Sequence, residues 1–305
     1  MYRWFCIMLA VATIAFASRP AHAAQPGFAF LEIPTGARAS ALGGAYTSVA
    51  RGVDAAFWNP AGLEAVHGVE VMGGHYELFQ KLRHDHFAVA GRLMGWGLSG
   101  SLRALYSEAI PERDDLGNLI GTFGANDLEF GLGAGRKIGT GLALGLSGQV
   151  IHERIANSGA TTYGFGLGGS WEPSSVSGLR LALSGQNLGP STRYRIDGAD
   201  GAPVTLPAAI QAGGSYARDV GEHFNLRGAL ETRIARGRNA IGLVGAELSS
   251  SSGAALRLGL RVNDTGSNFS MGAGYAVRSL QLDYAFVPMR LDLGDTHRIS
   301  FATRF

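Results

Sequence analysis

Apolar and polar residues alternate with a period of two in segment after segment of this chain. Leu280, Leu282, Tyr284 and Phe286 interleave with Gln281, Asp283 and Ala285, and Ile299, Phe301, Thr303 and Phe305 interleave with Arg298, Ser300, Ala302 and Arg304. Upstream, Leu256, Leu258, Leu260 and Val262 stand against Arg257, Gly259 and Arg261, and Leu128, Phe130 and Leu132 against Glu129, Gly131 and Gly133. Such a period places one set on each face of a β-strand. A soluble sandwich would turn its charges outward and seldom line a core with Arg and Gly. The greasy face is therefore expected to meet lipid. Beyond the first 23 residues no apolar run approaches the roughly 18 residues of a spanning helix, so the structure that crosses a membrane has to be a closed barrel whose backbone groups pair between strands.

From Val69 onward about fourteen such segments occur, an even number as in bacterial single-chain barrels. They are predicted at 69–76, 85–93, 96–106, 127–137, 141–152, 161–172, 179–188, 208–217, 224–234, 239–248, 254–262, 268–278, 280–287 and 296–305. The tenth is the weak one, because Ile241, Leu243 and Glu247 do not sort by parity. Long polar connections at 107–126, 189–207 and 288–295 alternate with tight ones near Gly95, 138–140 and Ser279, which suggests a long outer and a short periplasmic side. Trp96, Trp171, Tyr275 and Phe305 then fall at the periplasmic rim, and Tyr106, Tyr163 and Phe286 toward the outer one.

The start of the chain explains how it gets there. Arg3, an apolar run from Trp4 to Phe16 and small residues at Ala21 and Ala23 make up a secretory signal, so residues 1–23 are expected to be removed and the mature chain to begin near Ala24. Cys6 leaves with the signal, so the mature protein has no thiol and no cysteine-based metal site. Arg3 and Arg19 leave too, which brings basic and acidic residues into balance and argues against a nucleic-acid partner. Glycine numbers 46 of 305 residues, against a usual level of roughly 7%. With no G-X-Y period this implies strands that need small side chains on one face.

Catalytic motifs are missing. Gly164-Phe165-Gly166-Leu167-Gly168-Gly169 satisfies G-x-G-x-x-G formally but lies in a strand with no helix after it. No G-x-S-x-G, Walker loop or H-E-x-x-H occurs, so neither an enzyme, a cofactor nor a metal is expected. His84 and His86 offer two ligands where zinc wants at least three, and read as part of a solvated loop. Arg103, Arg180, Arg257, Arg261, Arg278 and Arg298 share the small-residue face with Glu129, Glu231 and Asp283. Two readings stand: these luminal charges brace one another across the interior, or the arginines hold the carboxylate of an amphipathic ligand.

Residues 24–68 break the strand pattern. Pro34-Thr35-Gly36-Ala37-Arg38-Ala39-Ser40-Ala41-Leu42-Gly43-Gly44-Ala45 is followed by Trp58-Asn59-Pro60-Ala61-Gly62-Leu63. Over residues 30–63, and again in the phrases Leu282–Phe286 and Gly294–Ser300, the chain resembles the PorV/PorQ outer-membrane proteins, a branch similar to the FadL fatty-acid transporters. The resemblance implies a transmembrane antiparallel β-barrel of fourteen strands at 69–305, with both termini periplasmic and residues 24–68 as a hatch. Its hatch motif would be Gly36, Arg38, Gly43, Gly44, Asn59, Pro60, Ala61 and Gly62, with Arg38 paired to Glu129, Glu231 or Asp283, or else snorkelling toward the periplasm. The terminal Phe301 and Phe305 look like a signal for the barrel-assembly machinery. By resemblance the protein sits in outer-membrane lipid and is either a protein-interaction component of secretion or surface attachment, handling a secreted protein, or a passive transporter of hydrophobic or amphipathic small molecules. The closer phrase match favours the first. A scarcity of apolar residues in 107–126 and 189–207 favours it too.

Overall fold

The computed structural model describes residues 26–290 and 294–305; the expected signal segment 1–23 and the expected start of the mature chain near Ala24 lie outside them. Fourteen antiparallel strands form the wall. They are β1 (Val69–Glu77), β2 (Leu82–Leu93), β3 (Trp96–Ser107), β4 (Ala125–Lys137), β5 (Leu142–Ile155), β6 (Ser158–Trp171) and β7 (Leu179–Leu188). The second half comprises β8 (Ala209–Val220), β9 (Phe224–Ala235), β10 (Ile241–Ser250), β11 (Ala254–Val262), β12 (Phe269–Val277), β13 (Leu280–Pro288) and β14 (Asp295–Arg304). Each pairs with its neighbours in sequence, and β14 returns to β1 from Glu70↔Arg304 to Glu77↔His297, so the sheet closes and leaves no edge.

Closure with period-two alternation sorts the side chains. Leu256, Leu258 and Leu260 are 55–65% exposed on the outside, while Arg257 between them is 4% exposed inside. Phe301 and Phe305 are likewise outward. Trp96, Trp171 and Tyr275 are exposed near the end of the barrel that holds Phe305, and Tyr163 near the other end. Parity of β10 now resolves: Leu243 and Glu247 are buried inside, Val244 and Leu248 outside. Arg278 departs from expectation; it sits exposed at positive φ in the two-residue turn between β12 and β13, which takes it out of the lumen.

Connections differ in part from those predicted. The long segments 107–126 and 189–207 are not irregular, since each folds into a hairpin, Ile110–Arg113 with Leu119–Phe123 and Thr192–Ile196 with Ala199–Val204. At the same end the connections 78–81 and 156–157 are tight, so the length asymmetry is not uniform.

Residues 26–68 lie inside the barrel and are buried almost throughout. They form short helical turns, Ala29–Glu32, Ala37–Ala41, Gly52–Asp54, Ala55–Trp58 and Pro60–Ala65. The first described residues are at the end opposite Phe305: the Gly27 amide donates to the Thr205 carbonyl at 3.0 Å, and Pro26 bridges Thr205. The start of this segment is thus not on the side of the C-terminus, as had been expected of both termini. Phe28, Phe30 and Leu31 need apolar cover and find it there against Ile151, Ala160 and Leu206, with Tyr194 stacked on Phe28.

The glycine excess acquires a physical reason from this packing. On one wall a Cβ at Gly259 would overlap the backbone of Leu42 and Gly43, and one at Gly272 would come within 2.6 Å of the Ala41 Cβ. On the opposite wall, Gly97, Gly135, Gly145 and Gly168 face the backbone or side chains of Asn59, Pro60 and Leu63 just as closely. Inward glycines let the backbone of the inner segment press directly on the strands.

Candidate functional site

The inner segment is shaped by its own sequence before the wall holds it. Gly36, Gly43 and Gly44 have φ of 92°, 67° and 81°, left-handed values that a side chain would strain. Asn59 caps the turn at Pro60, accepting from the Ala61 amide at 3.1 Å, and its amide group donates to the carbonyls of Thr47 and of Gly169 in β6. Gly62 lies against the Ala50 carbonyl, where a Cβ would not fit. Trp58 donates to the Thr35 carbonyl at 2.8 Å and packs edge-on against Tyr46, whose hydroxyl donates to Asp54 at 2.6 Å. Burial pushes the Asp54 carboxyl up from its usual range, opposed by that hydroxyl and by Arg38.

Wall charges then fasten the segment in place. Glu231, buried in β9, accepts from the amides of Thr47 (3.0 Å) and Ser48 (2.8 Å), the Ser48 hydroxyl (2.6 Å) and Gln211 (2.6 Å). Arg180 donates to the carbonyls of Ser48 and Ala50, Arg261 to that of Gly43, and Arg298 to the Pro34 carbonyl and the Ser40 hydroxyl. Arg38 forms a two-point ion pair, but with Glu247 (2.8 and 2.7 Å) rather than with Glu129, Glu231 or Asp283. Glu247 is also bound by Arg257 at 2.6 Å, which reaches Asp283 at 2.7 Å, and lies 3.6 Å from Arg227. Glu129 is taken by Arg103, under the ring of Phe57. Buried charges without such partners would be costly. Most of the luminal charges are thereby engaged in holding the segment or each other.

His84 and His86 are not in a solvated loop. Strand β2 starts at Leu82, three residues earlier than predicted, so both rings turn inward, 0% and 4% exposed, and pack 5.2 Å from Tyr76, with Phe57 5.9 Å from His86. Among the described residues no group of three His, Cys, Asp or Glu that would hold a metal occurs.

Between the inner segment and the wall lies a cavity of about 410 Å³, a size typical of small-molecule sites. Leu31, Ile33, Phe57, Trp58, Ile241 and Leu243 give it an apolar side; Arg103, Arg233, Arg238 and Arg261 give it a cationic one. It reaches the connections 236–240 and 263–268, at the end away from Phe305. Arg103, Arg238 and Arg261 are neutralised by Glu129, Glu32 and Asp264. Arg233, half-buried, is bonded to the neutral Gln186 amide oxygen at 3.2 Å and has no carboxylate within 4.0 Å among the described residues. Arg233 is not among the residues marked from the sequence, although it shares the inward parity of Glu231, and the face of Glu247 stays open at that level.

A family model described as an uncharacterised protein family (UPF0164) matches residues 6–133. No curated protein matches the chain. Solved structures do match. The toluene transporter TbuX of Ralstonia pickettii is 13% identical with a TM-score of 0.60, covering 88% of this chain and 98% of that one. The toluene transporter TodX of Pseudomonas putida is 13% identical with a TM-score of 0.61, covering 89% and 98%. A FadL homologue of Pseudomonas aeruginosa is 12% identical with a TM-score of 0.59, covering 89% and 98%. At such identities the likeness is one of fold, a closed fourteen-stranded antiparallel barrel of the FadL type. The PorV/PorQ resemblance finds no support among these three structures.

Proposed function

We propose that this barrel resides in the outer membrane and passes amphipathic small molecules inward through the cavity beside its plug. The carrying observation is that cavity, lined by apolar residues of the plug and of β10 and by arginines of the wall, one of which, Arg233, has no carboxylate within 4.0 Å among the described residues. Such a lining suits an apolar body that ends in a carboxylate, which Arg233 would grip by two hydrogen bonds. In this orientation the end holding Phe305 faces the periplasm and the cavity mouth faces outward. Passage then requires residues 34–50 to move.

Secretion or surface attachment was preferred on the phrase match, whereas the FadL-type fold and the cavity support small-molecule transport. Leu116, Leu119 and Ile120 are also 61–87% exposed on the hairpin at the outer end, so an apolar surface does exist where a hydrophobic compound would first land.

Uptake by vesicles carrying the purified barrel tests the proposal. A long-chain carboxylate is expected to enter in a barrel-dependent, saturable way, with affinity falling about tenfold in Arg233→Gln, equivalent to roughly 1.4 kcal/mol. A monoaromatic hydrocarbon with no charge is expected to be indifferent to that substitution. No barrel-dependent uptake of either compound, together with a secreted protein bound to the purified barrel, would overturn the transport reading in favour of the secretion one.

A further inference from the structure

Strand register sets three residues side by side on the outward surface at the outer end. Arg154 of β5 is paired with Gly159 of β6, and Gly159 on its other side with Arg195 of the hairpin strand Thr192–Ile196. Directly opposed residues share a face. Both arginines are exposed, and Gly159 has no side chain to fill the slot between them, about 10 Å wide across two strand spacings. One row nearer the middle of the barrel, His152 faces Thr161, its Nδ1 2.8 Å from the hydroxyl, and Arg193 falls on the same side as Arg195. One row further, the surface turns apolar with Val150 opposite Tyr163, 55% and 54% exposed.

The cations are unspent. Arg154 donates to the Ala156 carbonyl at 3.3 Å and Arg193 to the Gly201 carbonyl at 2.9 Å. Among the described residues neither they nor Arg195 has a carboxylate within 4.0 Å, although Asp200 lines the same groove. That groove has a volume of about 1080 Å³.

We infer that this groove binds the head-group phosphate of an outer-leaflet glycolipid, its acyl chains lying on Val150, Tyr163 and Phe165. The inference rests on the outer-membrane reading above but not on the transport one. Guanidinium groups match phosphate geometry. The row that carries them stands about 13 Å, four residues of strand rise, beyond the Val150–Tyr163 row, on the headgroup side of a tyrosine ring that marks the edge of the apolar band. A free phosphate would gain nothing from the apolar rows beneath; an acylated one does.

Native mass spectrometry of the detergent-solubilised full-length mature barrel, incubated with bis-phosphorylated lipid A, tests this. The wild-type protein is expected to retain one copy, and Arg154→Ser/Arg195→Ser to retain it about tenfold less. Gly159→Gln, which keeps both charges and fills the slot, is expected to weaken retention as well. Equal retention by the double variant, equal retention of dephosphorylated lipid A, or displacement by millimolar inorganic phosphate would each overturn the assignment. A heated and an unheated gel sample of the same preparations separates the two levels: a barrel that migrates identically in both refutes the membrane reading itself, while a heat-modifiable barrel with no lipid A preference refutes only the groove.

Discussion

Glu247→Gln is expected to loosen the plug by a factor of about 10² to 4 × 10³ while leaving the wall intact. Glu247 is 4% exposed and joins Arg38 of the plug to Arg257, with Arg227 3.6 Å away. Neutralising it takes the counter-charge from Arg38 and Arg227 and leaves Arg257 with Asp283 alone, a loss of about 3–5 kcal/mol, and each 1.4 kcal/mol is a factor of ten. Hydrogen exchange at residues 37–50 of the folded barrel reads this directly, and current across a planar bilayer reads its consequence. Arg38→Met removes the plug's own charge but leaves Glu247 bound to Arg257, so its effect should be smaller. Should the two variants exchange alike, and both like the wild type, the ion pair does not hold the plug.

Gly259→Val is expected to displace the plug without any change of charge. Valine suits a strand, so the wall of β11 gains nothing harmful in itself; the new side chain instead occupies the space of the Leu42 and Gly43 backbone. Overpacking usually costs about 1–3 kcal/mol where side chains can adjust, and here the obstacle is main chain. The upper end of that range predicts roughly a hundredfold rise in protease cleavage after Arg38 and Arg51. Gly228→Val is the control, because Gly228 faces outward with nothing within 4 Å of a Cβ, and it is expected to behave as the wild type.

The wall was legible because alternation is local. Every barrel strand begins within three residues of its predicted start, since the face of each residue follows from its neighbours two steps away. What lay beyond reach depends on contacts between distant segments. Arg38 and Glu247 are 209 residues apart, and nothing in either neighbourhood selects that partner over Glu129, Glu231 or Asp283. The tenth strand resisted for a related reason. Leu243 points inward because it belongs to the cluster with Tyr46 and Trp58, so the rule of a polar interior fails where the plug itself is apolar. His84 and His86 were misplaced because β2 runs three residues further than its apolar pattern, carried by pairing with β1 and β3. The hairpins within 107–126 and 189–207 were missed because Pro111 and Pro203, with Gly117 and Gly198, read as loop.

Cys6 is the one cysteine of the sequence and lies in the segment expected to be removed as a signal, so a chain that starts at Ala24 offers a cysteine-free background for single labels. Spin labels placed one at a time along residues 256–262 of the reconstituted barrel, with collision rates measured for oxygen and for a water-soluble nickel chelate, test the assignment of the two faces most directly. Labels at Leu256, Leu258, Leu260 and Val262 are expected to collide freely with oxygen and hardly with the chelate, and labels at Arg257 and Arg261, on either side of the packed Gly259, to be slow with both. Chelate collisions at the leucines equal to those of an exposed soluble site, or no alternation along the strand, would contradict a barrel whose greasy face meets hydrocarbon and whose small and charged face encloses a plug.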